Sequence, residues 1–382
     1  MHSKPKLIRI TTVPISIDKL LHNQLKFMQN KYDVTAISSN KIELEKIAIS
    51  QGVSFKAIEM SRQITPIKDL LSLFQLLAFL YKIKPKIVHT HTPKAGILGM
   101  LAAKIVGVPN RLHTVAGLPL MEAKGFKRLL LNFVEKLTYS CATHVYPNSK
   151  GLYDFILDNN FTTVSKLKVI ANGSSNGIDT NYFNPDSITE LNKQELKSKL
   201  NIKDDEFVFV FVGRLVSDKG INELVEAFTQ VKKQYDKIKL LVVGPLESDL
   251  DPLKAKTLIE LNNNQDIITT GFQSDVRPFF AISDCLVFPS YREGFPNVVM
   301  QAGAMQLPII ATNINGCNEI VIPNINGILI EPKKVEPLVA AMLSMLDIEK
   351  FNFLKNNSRK LITDRYEQSF VWDQLLAEYS KL

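Results

Sequence analysis

Short apolar runs alternate with stretches of helical periodicity along nearly the whole chain. Helical patterns begin near Asp18, at Ile42 and at Pro66, in the intervals between the first apolar runs. Strands that alternate with helices predict a parallel sheet covered by helices on both faces. The strands predicted in the first half are Leu7 to Val13, Asp33 to Ile37, Val53 to Ile58, Ile87 to His91, Arg111 to Val115, Thr143 to Tyr146 and Leu167 to Ile170.

The alternation restarts in the second half of the 382 residues, after a polar, turn-rich segment from Asn172 to Leu191. We predict an α/β protein with two doubly wound, Rossmann-like domains at residues 1–185 and 186–365, and a helix at about 366–382 that packs back on the first domain. The strands predicted in the second half are Phe207 to Val212, Lys239 to Val243, Ile267 to Thr270, Cys285 to Phe288, Ile309 to Thr312 and Gly327 to Ile330.

The composition is that of a soluble globular protein, with 45% hydrophobic and 22% charged residues. Cys141, Cys285 and Cys317 are too few and too scattered for a disulfide framework or a metal cluster, so we expect reduced, mostly buried thiols. The longest apolar-rich segment, Leu70 to Tyr81, is too short to span a bilayer. The expected location is the cytoplasm.

The net charge of +8 is unevenly distributed. Residues 1–185 contain 24 Lys and Arg against 11 Asp and Glu, a surplus of +13, and the remainder carries −5. A basic half can serve nucleic acid, an anionic lipid surface or a phosphorylated substrate. Because the lysines are spread over strands and helices and no nucleic-acid motif occurs, we expect no nucleic-acid partner.

Two apolar segments flanked by lysines lie in the basic half, Pro66 to Lys86 and Lys124 to Leu131. The ordinary interpretation of each is a helix that packs on the sheet. Such helices are also typical of proteins that lie on an anionic leaflet. A peripheral contact with the inner face of the cell membrane is therefore left open.

The stretch from Cys285 to Ala304 is the most informative part of the chain, because it predicts a buried strand, a sharp turn and a helix that starts at Pro296. The N–H groups of the next three residues, Asn297, Val298 and Val299, would point outward under a partial positive charge, which favours phosphate binding. Glu293 can accept hydrogen bonds from ligand hydroxyls, and Gly294 permits close backbone approach. Phosphate and hydroxyls together indicate a nucleotide sugar.

This stretch resembles the donor site of the family 4 glycosyltransferases of the GT-B fold. The resemblance rests on Glu293-Gly294-Phe295-Pro296-Asn297-Val298-Val299, Gly213-Arg214-Leu215 and Lys219-Gly220. It implies two domains that face each other across a cleft and retaining transfer from a nucleoside diphosphate sugar, expected to be UDP-linked. It also implies a lipid-diphosphate-linked or glycan acceptor in surface polysaccharide biosynthesis.

Individual roles follow from the resemblance. Arg214 and Lys219 meet the diphosphate, Glu293 holds the sugar, and Gln301 meets the ribose, although members of the family usually carry a second glutamate where Gln301 stands. From chemistry alone, a guanidinium and an ammonium near one strand end suit a diphosphate, with a pair of solvated charges as the alternative. Gly271 and Phe272 could line the base pocket or form an ordinary turn.

Three residues of the first half are candidates for the acceptor side. The resemblance implies this for His91 and Lys94, because many members carry two alternate histidines and then Ala-Gly, here Ala95-Gly96. His113 is the imidazole nearest to the position where the family often has a histidine and this chain has Ala116. It either touches the donor or is a satisfied strand histidine.

Metal binding has two weak indications. His89 and His91 share one face of a strand, but no carboxylate or cysteine lies nearby in sequence. Asp249-Leu250-Asp251 resembles the D-x-D of other glycosyltransferases, but it lies in an acidic loop after Glu247, and such a loop is ordinarily a solvated turn. Because Arg214, Lys219 and a helix terminus can neutralise a diphosphate, no metal cofactor is expected.

Two other functions remain compatible with the sequence. A sugar-nucleotide epimerase of the same fold would need no acceptor. A non-catalytic nucleotide-sugar-binding protein would bind the donor without turnover.

Overall fold

The computed structural model describes residues 4–118, 120, 123–247, 249 and 251–382. By its internal contacts the chain forms two compact units. Unit 1 comprises Met1–Gly177 and Ser369–Leu382, and unit 2 comprises Ile178–Gln368. The domain boundary predicted near residue 185 lies downstream of the first division.

Unit 1 is built on a six-stranded parallel sheet with the order β3-β2-β1-β4-β5-β6. Its strands are β1 (Lys6–Ile10), β2 (Asp33–Ser38), β3 (Ser54–Ala57), β4 (Ile87–His91), β5 (Asn110–Val115) and β6 (His144–Pro147). Its helices are α1 (Pro14–Leu20), α2 (Gln24–Met28), α3 (Lys41–Gln51), α4 (Pro66–Ile83), α5 (Pro93–Val106), α6 (Gly125–Cys141), α7 (Lys150–Asp158) and, from the end of the chain, α16 (Gln368–Ser380).

Three helices of unit 1 begin at a proline. Pro14, Pro66 and Pro93 each open a helix, at a position whose N–H would have no partner within the helix. The sheet buries both faces, since Ile8 packs in one apolar cluster while its neighbour Leu7 packs in the other. This is the two-sided covering that the alternation of strands and helices predicted.

Unit 2 repeats this architecture with the order β12-β11-β10-β7-β8-β9. Its strands are β7 (Phe207–Val212), β8 (Ile238–Val243), β9 (Ile267–Thr269), β10 (Cys285–Phe288), β11 (Ile309–Thr312) and β12 (Gly327–Ile330). Its helices are α8 (Glu190–Lys199), α9 (Ile221–Lys232), α10 (Ala255–Asn263), α11 (Arg277–Ala281), α12 (Asn297–Ala304), α13 (Cys317–Ile320), α14 (Val335–Ser344) and α15 (Ile348–Tyr366).

Both sheets have the strand order of a dinucleotide-binding fold, in which the first and fourth strands lie side by side at the centre. Connections leave these two strands in opposite directions, which opens a crevice at their carboxyl ends. The central pair is β1 and β4 in unit 1, and β7 and β10 in unit 2. The prediction of two doubly wound sheets is confirmed.

One predicted strand is wrong. Leu167 to Ile170 does not join the sheet of unit 1, because only Leu167 forms an isolated bridge, to Val145. Both Leu167 and Ile170 are nevertheless buried. Their apolar pattern reflects packing against the sheet and not pairing within it.

The three cysteines are free and buried, as expected. Burial raises the pKa of the Cys285 and Cys317 thiols well above the usual value. A search of the described residues finds no helix with the length and apolar character needed to cross a membrane.

Candidate functional site

Two loops of unit 2 follow its central strands and meet at their carboxyl ends. The first loop (213–220) leaves β7, and the second loop (289–296) leaves β10 and leads into α12. Lys219 of the first loop and Glu293 of the second form an ion pair with a distance of 2.5 Å between Nζ and Oε1. Each side chain is only 16% exposed, so the pair is held out of bulk solvent. Two of the predicted catalytic residues therefore lie together.

Asp218 joins the two loops. Its backbone carbonyl accepts from the Tyr291 N–H at 2.8 Å, and its carboxylate accepts from Arg292 Nη2 at 2.7 Å. The Asp251 carboxylate in turn accepts from the Asp218 N–H at 2.6 Å. These contacts fix the position of the neighbouring Lys219. The sequence reasoning missed Asp218 and Arg292, because a charged pair between distant loops leaves no local pattern.

A glycine permits the close approach of the loops. Gly220 has a φ of +72°, and a Cβ built on it would lie 2.2 Å from the carbonyl oxygen of Pro289. Any other residue would force the loops apart and would be strained in this backbone conformation. The Lys219-Gly220 pair thus combines a charge with the backbone geometry that positions it.

Helix α12 presents its N-terminus beside Glu293. Pro296 occupies the capping position, one residue before the helix, and carries no side-chain group that could accept from the first amides. The expectation of three outward N–H groups needs correction, because the Val299 N–H donates to the Pro296 carbonyl at 3.2 Å. The candidate position for an anion is therefore limited to the amides of Asn297 and Val298, with Gln301 one turn further along the same face.

The remaining donor-side candidates divide into core and surface positions. Phe295 turns into the core and packs against Tyr366 with 5.5 Å between ring centroids, so only its backbone can meet a ligand. Gly294 is half-buried. Arg214, next to the half-buried Gly213, is exposed and pairs with Glu247 at 2.9 Å.

Two further candidates follow β9. Gly271 has a φ of +68°, and its carbonyl accepts from the Gly244 N–H at 2.9 Å. Phe272 exposes 75% of its surface. An exposed aromatic ring at the carboxyl edge of the sheet can stack against a planar base.

In unit 1, His91 ends the central strand β4 and is buried. Arg9, which is fully buried on β1, donates from Nε to His91 Nε2 at 3.2 Å. Burial and the nearby Arg9 charge lower the pKa of His91 well below its usual value. His91 is therefore neutral, and because Arg9 can only donate, Nε2 accepts and the ring proton resides on Nδ1.

The other acceptor-side candidates already have partners. Lys94 pairs with Asp69 of α4, and both side chains are largely buried. His113 Nδ1 hydrogen-bonds Thr90 Oγ1 at 2.8 Å, and a Cβ built on Gly96 would lie 2.6 Å from the His113 ring. Burial lowers the pKa of His113 to about 4. The structure thus favours the satisfied strand histidine over a group that reaches the donor.

The two indications of metal binding find no support in the geometry. His89 uses both ring nitrogens, toward Tyr379 Oη at 2.5 Å and Thr114 Oγ1 at 2.7 Å. Asp251 braces the first loop, and Leu250 lies outside the described residues. Across the described ranges, no three His, Cys, Asp or Glu side chains cluster in a way that could hold a metal ion.

Comparison with known proteins identifies the class. Residues 192–361 match the family model described as Glycosyl transferases group 1, and residues 19–149 match the model described as Glycosyl transferase 4-like. CapM, a capsular polysaccharide biosynthesis glycosyltransferase of Staphylococcus aureus, is 33% identical over 378 residues, which cover 98% of this chain and 97% of CapM. The UDP-Gal:alpha-D-GlcNAc-diphosphoundecaprenol alpha-1,3-galactosyltransferase of Escherichia coli is 29% identical over 373 residues, covering 96% of this chain and 94% of that enzyme.

Solved structures share the fold. Anabaena HepE in complex with UDP has a TM-score of 0.83 at 17% identity, over 99% of this chain and 100% of HepE. WaaG, a glycosyltransferase involved in lipopolysaccharide biosynthesis, has a TM-score of 0.72 at 12% identity, over 96% of this chain and 98% of WaaG. The two sheets are thus those of a GT-B glycosyltransferase. The chain belongs to the family 4 glycosyltransferases.

Proposed function

We propose that the protein is a retaining glycosyltransferase that moves a sugar from a UDP-linked donor to a lipid-diphosphate-linked acceptor in surface polysaccharide biosynthesis. The observation that carries this proposal is the Lys219–Glu293 pair beside the N-terminus of α12. It brings a cation, a carboxylate and helix amides to the carboxyl ends of β7 and β10. The Escherichia coli relative transfers to a sugar linked to diphosphoundecaprenol, which supports the acceptor class, and CapM of Staphylococcus aureus acts in capsular polysaccharide biosynthesis, which supports the process.

In this mechanism the protein chiefly positions groups and stabilises charge. Lys219, Arg214 and the amides of Asn297 and Val298 bind the diphosphate and stabilise the negative charge that grows as it leaves. Glu293 accepts from sugar hydroxyls and orients the reacting carbon. The leaving phosphate takes the proton of the acceptor hydroxyl on the face where the new bond forms, which retains the anomeric configuration.

The nucleoside end of the donor lies, in this proposal, along the neighbouring strands. Phe272 stacks on the base, with Gly271 allowing the approach. Gln301 bonds the ribose through its amide, which can both donate and accept. The exposed ring of Phe272 supports this arrangement.

A donor and acceptor panel tests the function. Purified protein is incubated with UDP-glucose, UDP-galactose, UDP-N-acetylglucosamine and UDP-N-acetylgalactosamine, each with and without N-acetylglucosamine-diphosphoprenol. We expect acceptor-dependent release of UDP with at least one donor, and a product whose α linkage is seen by NMR. Release of free sugar or of an epimer regardless of acceptor would instead indicate the epimerase, and binding without turnover would indicate a sensor.

Transfer is expected to be independent of divalent metal, because the proposal gives neutralisation of the diphosphate to Arg214, Lys219 and helix amides. The rate should remain within about twofold after dialysis against EDTA. A complete loss that magnesium restores would contradict this assignment. In that case Asp249 and Asp251, the two aspartates of the D-x-D stretch, would be the first residues to test.

We further propose that unit 1 lies on anionic membranes. On α4 an apolar stripe at helical spacing, Ile67, Leu70, Leu71 and Phe74, faces outward, and Ile67 is 79% exposed. On α6 Phe126 is 81% exposed, and Leu129 and Phe133 are also exposed. Both helices pack against α5, and exposed lysines lie on them or directly before them: Lys68 and Lys82 on α4, Lys124 before α6 and Lys127 on it. Apolar side chains among basic residues suit an anionic interface.

Sedimentation with liposomes checks the membrane proposal. The protein should sediment with phosphatidylglycerol vesicles but not with phosphatidylcholine vesicles, and less so as salt rises. Phe126→Ser with Phe133→Ser should weaken this binding, whereas Phe353→Ser, at an exposed position of α15 in the acidic half, should not. Equal behaviour of the two variants would contradict the role of α6.

A further inference from the structure

A small pocket lies on unit 1 at the carboxyl ends of β4, β5 and β6. Its walls include His91, Thr114 and Asn148, the turn at Ser174 and Ser175, and the inner face of α16. We call it the β6 pocket. It lies at the carboxyl edge of the sheet, the edge at which ligands bind in open α/β sheets, and it has room for about one water-sized group.

Three polar atoms of the β6 pocket are buried without a hydrogen-bond partner in the described part of the chain: His91 Nδ1, Asn148 Oδ1 and Ser175 Oγ. His91 is 2% exposed and Asn148 is 6% exposed. Buried polar atoms are almost always hydrogen-bonded, because each one left unpaired destabilises the fold. Three such atoms around one pocket therefore indicate a bound group that completes them.

The chemistry of that group follows from the protonation of His91. Arg9 donates to Nε2, so the proton is on Nδ1, and Nδ1 is a donor without a partner in a residue that lines the pocket. The Asn148 oxygen accepts, and the Ser175 hydroxyl can do either. A hydroxyl group accepts and donates at a single atom, which satisfies His91 and Asn148 together. An anionic oxygen would instead face the Asn148 oxygen without a proton to offer.

We infer that the β6 pocket binds one hydroxyl of the acceptor sugar. This inference rests on the proposed transferase function and deepens it, since it names the part of the acceptor that unit 1 recognises. The rest of the sugar ring stays outside the pocket, which admits only the hydroxyl. Asn148 and Ser175 thereby become specificity-determining residues, alongside the predicted His91.

Two variants each remove one polar group of the pocket, and the first also separates the roles of the two ring nitrogens of His91. His91→Gln places an amide oxygen where Nε2 accepts from Arg9 but removes the Nδ1 donor. Ser175→Ala removes a hydroxyl that has no partner among the residues that the structure describes. The control is Ser72→Ala, because Ser72 is a buried serine on α4 of unit 1 that does not line the pocket, and its hydroxyl donates to the Lys68 carbonyl at 2.8 Å.

The first readout is steady-state transfer to N-acetylglucosamine-diphosphoprenol. We expect His91→Gln and Ser175→Ala to raise KM for the acceptor about 10-fold to 100-fold with little change in kcat or in donor hydrolysis. Ser72→Ala should lower Tm, because it removes a buried hydrogen bond, and leave KM unchanged. An unchanged KM in both pocket variants would overturn the inference and leave a resident water as the only occupant.

The second readout does not depend on turnover. Methyl α-glycosides of glucose, galactose, N-acetylglucosamine and N-acetylgalactosamine are screened by saturation-transfer NMR against wild type and His91→Gln. We expect at least one glycoside to give a signal with wild type and none with His91→Gln. One monodeoxy analogue of that glycoside should also give no signal with wild type, because it lacks the hydroxyl that enters the pocket. Binding without any sugar transfer would contradict the proposed function but not the pocket. Absence of a glycoside signal sensitive to His91→Gln would overturn the pocket whatever the outcome of the transfer assay.

Discussion

Lys219→Ala is expected to lower kcat/KM about 100-fold to 1,000-fold, the effect of removing one preorganised group that stabilises developing charge. A large effect is expected because the ammonium of Lys219 is held in one position: Asp218 and Gly220 fix its backbone, and Glu293 pairs with its charge. The measurement is steady-state kinetics with the best donor of the panel. Arg214→Ala should follow the same direction with a smaller loss, since Arg214 is exposed and less constrained.

Two controls make the Lys219 result specific. Lys239 lies near the start of β8, away from the carboxyl edge, and pairs with Asp266 at 2.8 Å, so Lys239→Ala removes a comparably buried ion pair outside the site. It should leave kcat/KM close to wild type. Lys219→Ala leaves the Glu293 carboxylate without its ion-pair partner, and the double variant Lys219→Ala with Glu293→Gln removes that unpaired charge. Recovery of activity in the double variant would show that the loss came from an unpaired Glu293 and would sink the diphosphate assignment.

Glu293→Ala is the second change with a large expected effect, and it should lower kcat about 100-fold or more. Glu293 orients a sugar whose ring distorts during the reaction, so its hydrogen bonds are strongest in the transition state. Gln301→Ala should raise KM for the donor and spare kcat, because contacts to the ribose are alike in ground and transition states. Gln301→Glu should be tolerated.

The opposite pattern would be decisive against the family assignment at these positions. A loss of kcat at unchanged KM in Gln301→Ala, together with a pure KM effect in Glu293→Ala, would exchange the two roles. The measurement is a full dependence of rate on donor concentration for both variants at saturating acceptor.

Much of the fold could be predicted because the strands of a parallel sheet are buried on both faces and so read as continuous apolar runs. Phe207–Val212 and Cys285–Phe288 were found residue for residue on that signal. Leu167 and Ile170 give the same signal without pairing, since burial alone produces it. An apolar run therefore predicts that a segment is buried, but it does not predict whether the segment pairs with a neighbouring strand.

The donor side could be anticipated from motifs that are continuous in sequence, such as the stretch around Glu293. The contacts that position it could not, because Asp218 and Arg292 meet across 74 positions of the chain. His91 was found as a candidate, but its protonation depends on Arg9, which lies 82 positions away. The rule that functional loops follow strands would have reached Asn148 after β6 if it had been applied to that strand.

The path of the chain through unit 1 affects how the protein can be made. Tyr379, on α16, is fully buried and accepts from Arg9 Nη1 at 3.0 Å, so the first strand depends on a residue near the end of the chain. During translation this strand emerges from the ribosome long before Tyr379, and unit 1 must wait, incompletely folded, while the whole of unit 2 is synthesised. A fragment that stops at Gly177 would leave a buried guanidinium without this partner and should be a poor expression target. Fusing residue 177 to residue 369 through a short linker would restore it.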